Sequence, residues 1–176
     1  MRKTVLTYGI ISGIIVTTMM LMSIWIMKDK EDLSGGMLIG YTTMVISLSL
    51  IFFAVKSYRD NELGGLISFG KCFLMGLYIT LIAGCIYATG WEFYYRQSGE
   101  QYMQKYTEMY IKQMKESGTT EAQIAVEIKK MEDMQEWYKN PVLRFGMTIM
   151  EILPVGLVIS LVCGLILKKK TVVSNI

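Results

Sequence analysis

The stretch CFLMGLYITLIAGCIYATGW, residues 72–91, decides the fold. Its twenty residues carry no charge, and Cys72, Gly76, Thr80, Gly84 and Ala88 recur at every fourth position. On a helix that spacing lines up one face. Twenty residues rising about 1.5 Å each cover about 30 Å, the thickness of a bilayer's hydrocarbon core. The stretch lacks the alternation of a barrel strand, and a helix satisfies its own backbone hydrogen bonds in lipid. A membrane-spanning helix is predicted.

Three more runs share this character, at 4–27, 33–55 and 145–167. The four runs hold 90 of the 176 residues but one of the 33 charged ones, Glu151. The other 86 residues carry 32 charges, 37% of them, above the roughly 25% of an ordinary soluble domain. A bulk composition of 52% hydrophobic and 19% charged residues, with mean hydropathy +0.38, conceals that segregation. The pattern excludes an ordinary soluble core, a disordered chain and a nucleic-acid-binding domain. The predicted fold is all-α: an integral membrane four-helix bundle with spans at about 4–27, 33–55, 69–91 and 145–167. An extracytoplasmic two-helix hairpin, 92–144, interrupts it between the third and fourth spans. The first run follows Arg2 and Lys3, yet it is too long for a signal-peptide core and no small-residue cleavage site follows. It is read as a retained span.

Lysine and arginine counts orient the spans. With the N-terminus inside, the inner segments hold eight basic residues against Asp60 and Glu62, and the outer ones ten basic against twelve acidic. The net is +6 inside and −2 outside. Trp25, Trp91 and Trp137 then fall at the outer boundary, where indole rings favour the headgroup region. Both termini are expected in the cytoplasm.

The chemistry is bounded by absences. The chain has no histidine, so His-based acid–base catalysis, His triads and His-ligated metals are excluded. Cys72, Cys85 and Cys163 lie inside apolar runs without CxxC spacing, which offers neither a zinc site nor a redox pair. No catalytic residue, cofactor or metal is expected.

Without a hydrophobic drive between helices in lipid, close approach through small residues matters. Gly9 and Gly13, Gly36 and Gly40, Gly76 and Gly84, and Gly156 and Gly164 are the candidate packing positions, with Ile152 interrupting the last stripe. Such stripes read either as structural packing or as a substrate path between spans. Gly35-Gly36-Met37-Leu38-Ile39 also echoes Gly64-Gly65-Leu66-Ile67-Ser68, too briefly to define a repeat.

At 53 residues, segment 92–144 is too long for a plain connection. Tyr102, Tyr106, Met109 and Tyr110 recur at helical spacing from about Glu100 to Lys115, with Ser98 as a candidate cap. Ser117-Gly118 breaks that helix. Thr120 and Gln123 have capping-box form, and Ile124, Ile128, Met131 and Tyr138 make the face of a second helix ending before Asn140-Pro141. These Met- and Tyr-rich faces can pack on each other, lie on the membrane, or receive a partner, since Met adapts to varied shapes. Tyr102, Tyr106, Met109, Ile128 and Met131 are the candidate interaction residues.

Glu151 is a candidate because ionising a carboxylate in hydrocarbon costs several kcal/mol or more. It lies seven residues, about 10 Å, beyond Arg144 and points about 160° away from the Gly156–Ser160 stripe. An interfacial or structurally paired role and a proton-coupling role both remain open. Pro154 removes a backbone donor just after it. Lys71, at the inner mouth of the third span, is either an interfacial anchor or a ligand.

Tyr8-Gly9 with Ser12-Gly13, Gly40-Tyr41, Tyr58-Arg59-Asp60 and above all Ile67-Ser68-Phe69-Gly70-Lys71-Cys72-Phe73 with Gly76 form a further pattern. With Lys168-Lys169-Lys170 at the end, it resembles the domain of unknown function 4199 family, small four-span bacterial inner-membrane proteins common in Bacteroidota. Cys72 stands where a small residue such as Ala is usual. The resemblance implies a multi-pass protein of the bacterial cytoplasmic membrane with segment 92–144 in the periplasm, and transfers no activity. Two functions are weighed. One is a non-enzymatic protein that binds or regulates a partner, or a second copy of itself, through the hairpin or the small-residue span faces. The other is a small oligomeric transporter or channel, proton-coupled through Glu151. Lipid is the expected surroundings; nucleic acid is not an expected partner.

Overall fold

The computed structural model describes residues 1–27 and 33–169. Among them are six helices: α1 (Arg2–Met27), α2 (Leu33–Leu48), α3 (Leu50–Glu62), α4 (Phe69–Glu116), α5 (Glu121–Lys139) and α6 (Pro141–Leu167). No strand occurs among the described residues; one isolated backbone bridge joins Ile67 and Lys169. Four helical segments are long and apolar enough to cross a membrane: Arg2–Met27, Gly35–Glu62, Phe69–Glu116 and Pro141–Leu167. The fold is all-helical and compatible with a membrane bundle. The outer connection expected at 28–32, with its charges, lies outside the described residues, as does Lys170.

The largest departure from the sequence reading is α4. A separate helix was expected from about Glu100 with Ser98 as its cap, but the third apolar helix runs unbroken to Glu116. It holds 48 residues and is about 72 Å long, more than twice a hydrocarbon core. The helix passes through Gly99 because its missing side chain makes room for the Tyr95 ring, which an added Cβ would strike. Gly118, at φ +76°, makes the turn beyond the helix end. The Thr120–Gln123 capping box then forms in both directions and starts α5. Asn140 ends α5 and caps α6, its side chain accepting from the N–H groups of Val142 and Leu143, with Pro141 in the first turn. The last span therefore begins before residue 145.

The second apolar run departs in two ways. Ser49 divides it: its hydroxyl donates to the Ile46 carbonyl (2.6 Å), and Phe52 N–H reaches back three residues to Ser49 (3.0 Å). Such back-bonding perturbs a helix locally. The helix also continues past Val55 to Glu62, because Ile51, Ala54, Val55 and Tyr58 form a buried stripe that outweighs the change in composition. The diglycine echo is not structural. Gly64 and Gly65 have φ of +61° and +86° in the turn after α3, where Gly65 N–H bonds the Arg59 carbonyl (2.9 Å), whereas Gly35 and Gly36 lie within α2.

The long helix α4 is the spine, and its two faces meet α6 and α1 by different devices. Towards α6, Gly76 faces Ser160, Thr80 faces Gly156, and Gly84 faces Ile152. The pairs step in opposite directions, so the helices are antiparallel. Towards α1, Gly9 receives Ile82, Gly13 receives Ile86, and Gly90 receives Thr17, in parallel register. Ile152, which interrupts the stripe in sequence, fills the gap left by Gly84. An exception is Gly40, whose missing Cβ faces open space. Its four-residue spacing from Gly36 marks no close approach. The buried hydroxyls of Thr80, Thr148 and Ser160 bond carbonyls four residues back, at Gly76, Arg144 and Gly156. These three side chains thus enter the apolar core with their donors satisfied, whereas the buried hydroxyls of Ser12 and Ser47 have no hydrogen-bond partner among the described residues.

Candidate functional site

The geometry divides into three places: a collar at one end of the bundle, the arm beyond it, and the opposite end of the bundle beside the N-terminus. The collar lies where the apolar part of α4 ends. Glu92 follows the last residue of the uncharged stretch, and Arg144 sits one turn into α6. They are 52 positions apart in sequence and form a two-pronged ion pair. The Arg144 Nε donates to Glu92 Oε2 (2.8 Å) and Nη2 to Oε1 (2.5 Å). The Arg144 side chain is 6% exposed and Glu92 16%. The third guanidinium nitrogen donates to the Tyr138 carbonyl, and the guanidinium lies 4.0 Å from the centre of the Tyr95 ring. Planar, forked donors suit Arg to a site with two carboxylate oxygens, a carbonyl and an aromatic face. Arg96 adds a longer contact to Glu92 (3.4 Å).

Aromatic rings complete the collar. Trp91 packs against Tyr94, Tyr95 and Tyr102 with ring centres 5.4–6.2 Å apart, and Tyr95 meets Tyr138 edge-on at 5.6 Å. Trp91 is 9% exposed because these rings cover it. Its indole N–H has no hydrogen-bond partner among the described residues. Burial pushes the Tyr138 phenol above its ordinary range. Trp25 and Trp137, in contrast, are 78% and 64% exposed.

The arm comprises α4 beyond Glu92 and the whole of α5. Gln135 on α5 donates to the Thr107 hydroxyl on α4 (3.2 Å). Tyr102, Tyr106, Met109, Ile128 and Met131, the candidate interaction residues, are all half-buried, and Ile124 is fully buried. Tyr106 and Tyr110 stack at 6.5 Å. The exposed apolar residues of α5 are others: Val126, Met134 and Trp137. Lys130 and Lys139 are engaged by Glu127 and Glu136 on the same helix, which holds both ammonium groups above their usual range.

Glu151 is exposed on the outer flank of α6 and is not between the spans. Lys71 is exposed at the opposite end of the bundle, 5.8 Å over the Tyr58 ring. The structure therefore does not bring Glu151 and Lys71 together. Nearby, Arg59 pairs with Asp60 (2.7 Å) and donates to the Leu167 carbonyl (3.3 Å), and Thr4 donates to Glu62 (3.2 Å), which ties together the ends of α1, α3 and α6 that lie away from the arm.

The sequence reading used Glu92 and Arg144 only as the bounds of a loop. One signal could have found the pair: opposite charges directly abut the two spans that the loop joins. Such charges reach each other whenever those spans are neighbours.

A family model described as "Protein of unknown function (DUF4199)" matches residues 7–169, nearly the whole chain. The chain belongs to that family. No curated protein and no solved structure shows significant similarity to it.

Proposed function

From its membership of the DUF4199 family and the form of its arm, we propose that the chain is a non-enzymatic membrane protein that binds a protein partner. It would sit in the bacterial cytoplasmic membrane with both termini inside and the arm in the periplasm. The basic excess of the inner segments supports that orientation. The observation that carries the binding role is the division of α5 into two apolar faces. Ile124, Ile128 and Met131 serve the packing of the arm, while Val126, Met134 and Trp137 stay exposed on a helix held off the bundle. Exposed Trp and Met on a rigid support suit protein recognition. The position of Glu151 on the outer flank weighs against a proton path between the spans.

Photo-crosslinking in native membranes tests the proposal. A crosslinking residue at Val126, Met134 or Trp137 should capture a discrete protein, and one at Glu136, on the charged face of α5, should not. Adducts from neither face, or equally from both, would overturn it. Proton-linked flux in vesicles that is abolished by Glu151→Gln would support the transporter reading instead.

A further inference from the structure

At the end of the bundle away from the arm, α3, α4 and α6 are pinned into one corner. Ile67, just before α4, and Lys169, just after α6, exchange both backbone hydrogen bonds (2.9 and 3.1 Å). The Arg59 guanidinium donates to the Leu167 carbonyl, which joins α3 to the same point. Lys71, in the first turn of α4, lies over the Tyr58 ring of α3. Segments some hundred positions apart thus carry Lys71, Lys168 and Lys169 to neighbouring helix ends.

The acidic side chains of this end are already engaged. Arg59 grips both oxygens of Asp60 (2.7 and 3.2 Å), and Glu62 receives the N-terminal ammonium and the Thr4 hydroxyl. Lys71, Lys168 and Lys169 are exposed, and none forms an ion pair among the described residues. On α5, in contrast, Lys130 and Lys139 each hold a glutamate. Apolar surface begins directly beside the three lysines. Leu165 and Ile166, just before Lys168, are 58% and 63% exposed, and Leu74, one turn further into α4 than Lys71, is 45% exposed. These side chains belong to helices long and apolar enough to cross a membrane. The step from ammonium groups to aliphatic side chains matches the step from phosphate to acyl chain in a bilayer.

We propose that this corner binds the phosphate of an acidic phospholipid, with Lys71, Lys168 and Lys169 around the anion and the acyl chains along Leu74, Leu165 and Ile166. Each ammonium brings three donors and a compact charge, which suits phosphate oxygens. A loose basic tail must be ordered when it binds, whereas the backbone bonds of Lys169 and the helix under Lys71 hold these lysines in place beforehand. A free phosphate shares the anionic chemistry, but the exposed apolar flank is complementary only to the lipid. The site lies at the opposite end of the bundle from α5, and its occupancy does not depend on a protein partner.

Native mass spectrometry of the purified full chain provides the test, with phosphatidylglycerol and phosphatidylcholine of identical acyl chains as probes. Phosphatidylglycerol should bind saturably and about tenfold or more tightly than phosphatidylcholine. Combining Lys71→Gln with Lys169→Gln should abolish that preference. Lys129→Gln with Lys130→Gln, an equal loss of charge on α5, should leave it intact. Lys71→Arg with Lys169→Arg keeps the charges and should bind as the wild type does, which separates loss of the site from loss of the fold. Millimolar inorganic phosphate should not displace the lipid. Equal binding of the two lipids, a preference that survives the Gln pair at the corner or falls as far with the pair on α5, loss of binding in the Arg pair, or displacement by inorganic phosphate would overturn the proposal.

Discussion

Arg144 carries more of the molecule's polar geometry than any other single side chain described. It faces a carboxylate, a carbonyl and an aromatic ring at once, and it is 5% exposed overall. Removing one partner of a buried ion pair leaves the other charged without compensation, at a cost of about 3–5 kcal/mol. Arg144→Ala should therefore lower the thermal unfolding midpoint in detergent far more than Arg96→Ala, whose side chain is 70% exposed. Tyr138 gives a second handle. Burial raises its phenol, so the folded chain holds that proton more tightly than the unfolded chain does. Its contribution to stability is full below the ordinary tyrosine value of about 10 and is lost as pH rises through the raised folded value. Phenolate absorbance of wild type minus Tyr138→Phe should thus appear only above the ordinary tyrosine range. Only the charges abutting the two spans hinted at the first role, and nothing in the sequence hinted at the second. Arg144 and Tyr138 owe their roles to groups on α4, and no local spacing encodes a neighbour some fifty positions away.

At the scale of elements, the small-residue pattern was informative about composition and silent about direction. Gly156 and Gly40 look alike in sequence, yet an added side chain at Gly156 would collide with Thr80 while one at Gly40 would face open space. Gly156→Val should destabilise the bundle by about 1–3 kcal/mol through overpacking, and Gly40→Val should be near neutral, as measured by thermal unfolding of the purified variants. The capping box at Thr120 was readable because it is a contact over three residues. The start of a helix at Ser98 was misread because Gly99, a local breaker, is retained by its contact with the Tyr95 ring. Continuity through this point is measurable. Spin labels at Thr89 and Gln104, both exposed on α4, should give one narrow distance near 22 Å between their backbones. A broad distribution would mean that the helix breaks between them.

For the whole molecule, the positions of the charges along the chain made the existence of the long apolar helices legible, which bulk composition alone did not. Their ends were not, because buried stripes and capping residues extend α3 to Glu62 and start α6 at Pro141. The proposed orientation makes a direct prediction. A reporter inserted at Gly118 should be active only on the periplasmic side, and one fused after residue 176 only in the cytoplasm; the reverse pattern would invert the topology.

The unbroken α4 also has a mechanical meaning. Because Trp91 lies at the collar and Glu116 ends the helix 25 residues later, the free end extends about 38 Å beyond its fulcrum. Helices tilt to match bilayers of different thickness. A change of about 10° in α4, transmitted through a rigid rod, carries its tip sideways by about 7 Å. Built this way, α4 would convert a change of tilt within the bilayer into a displacement at its far end.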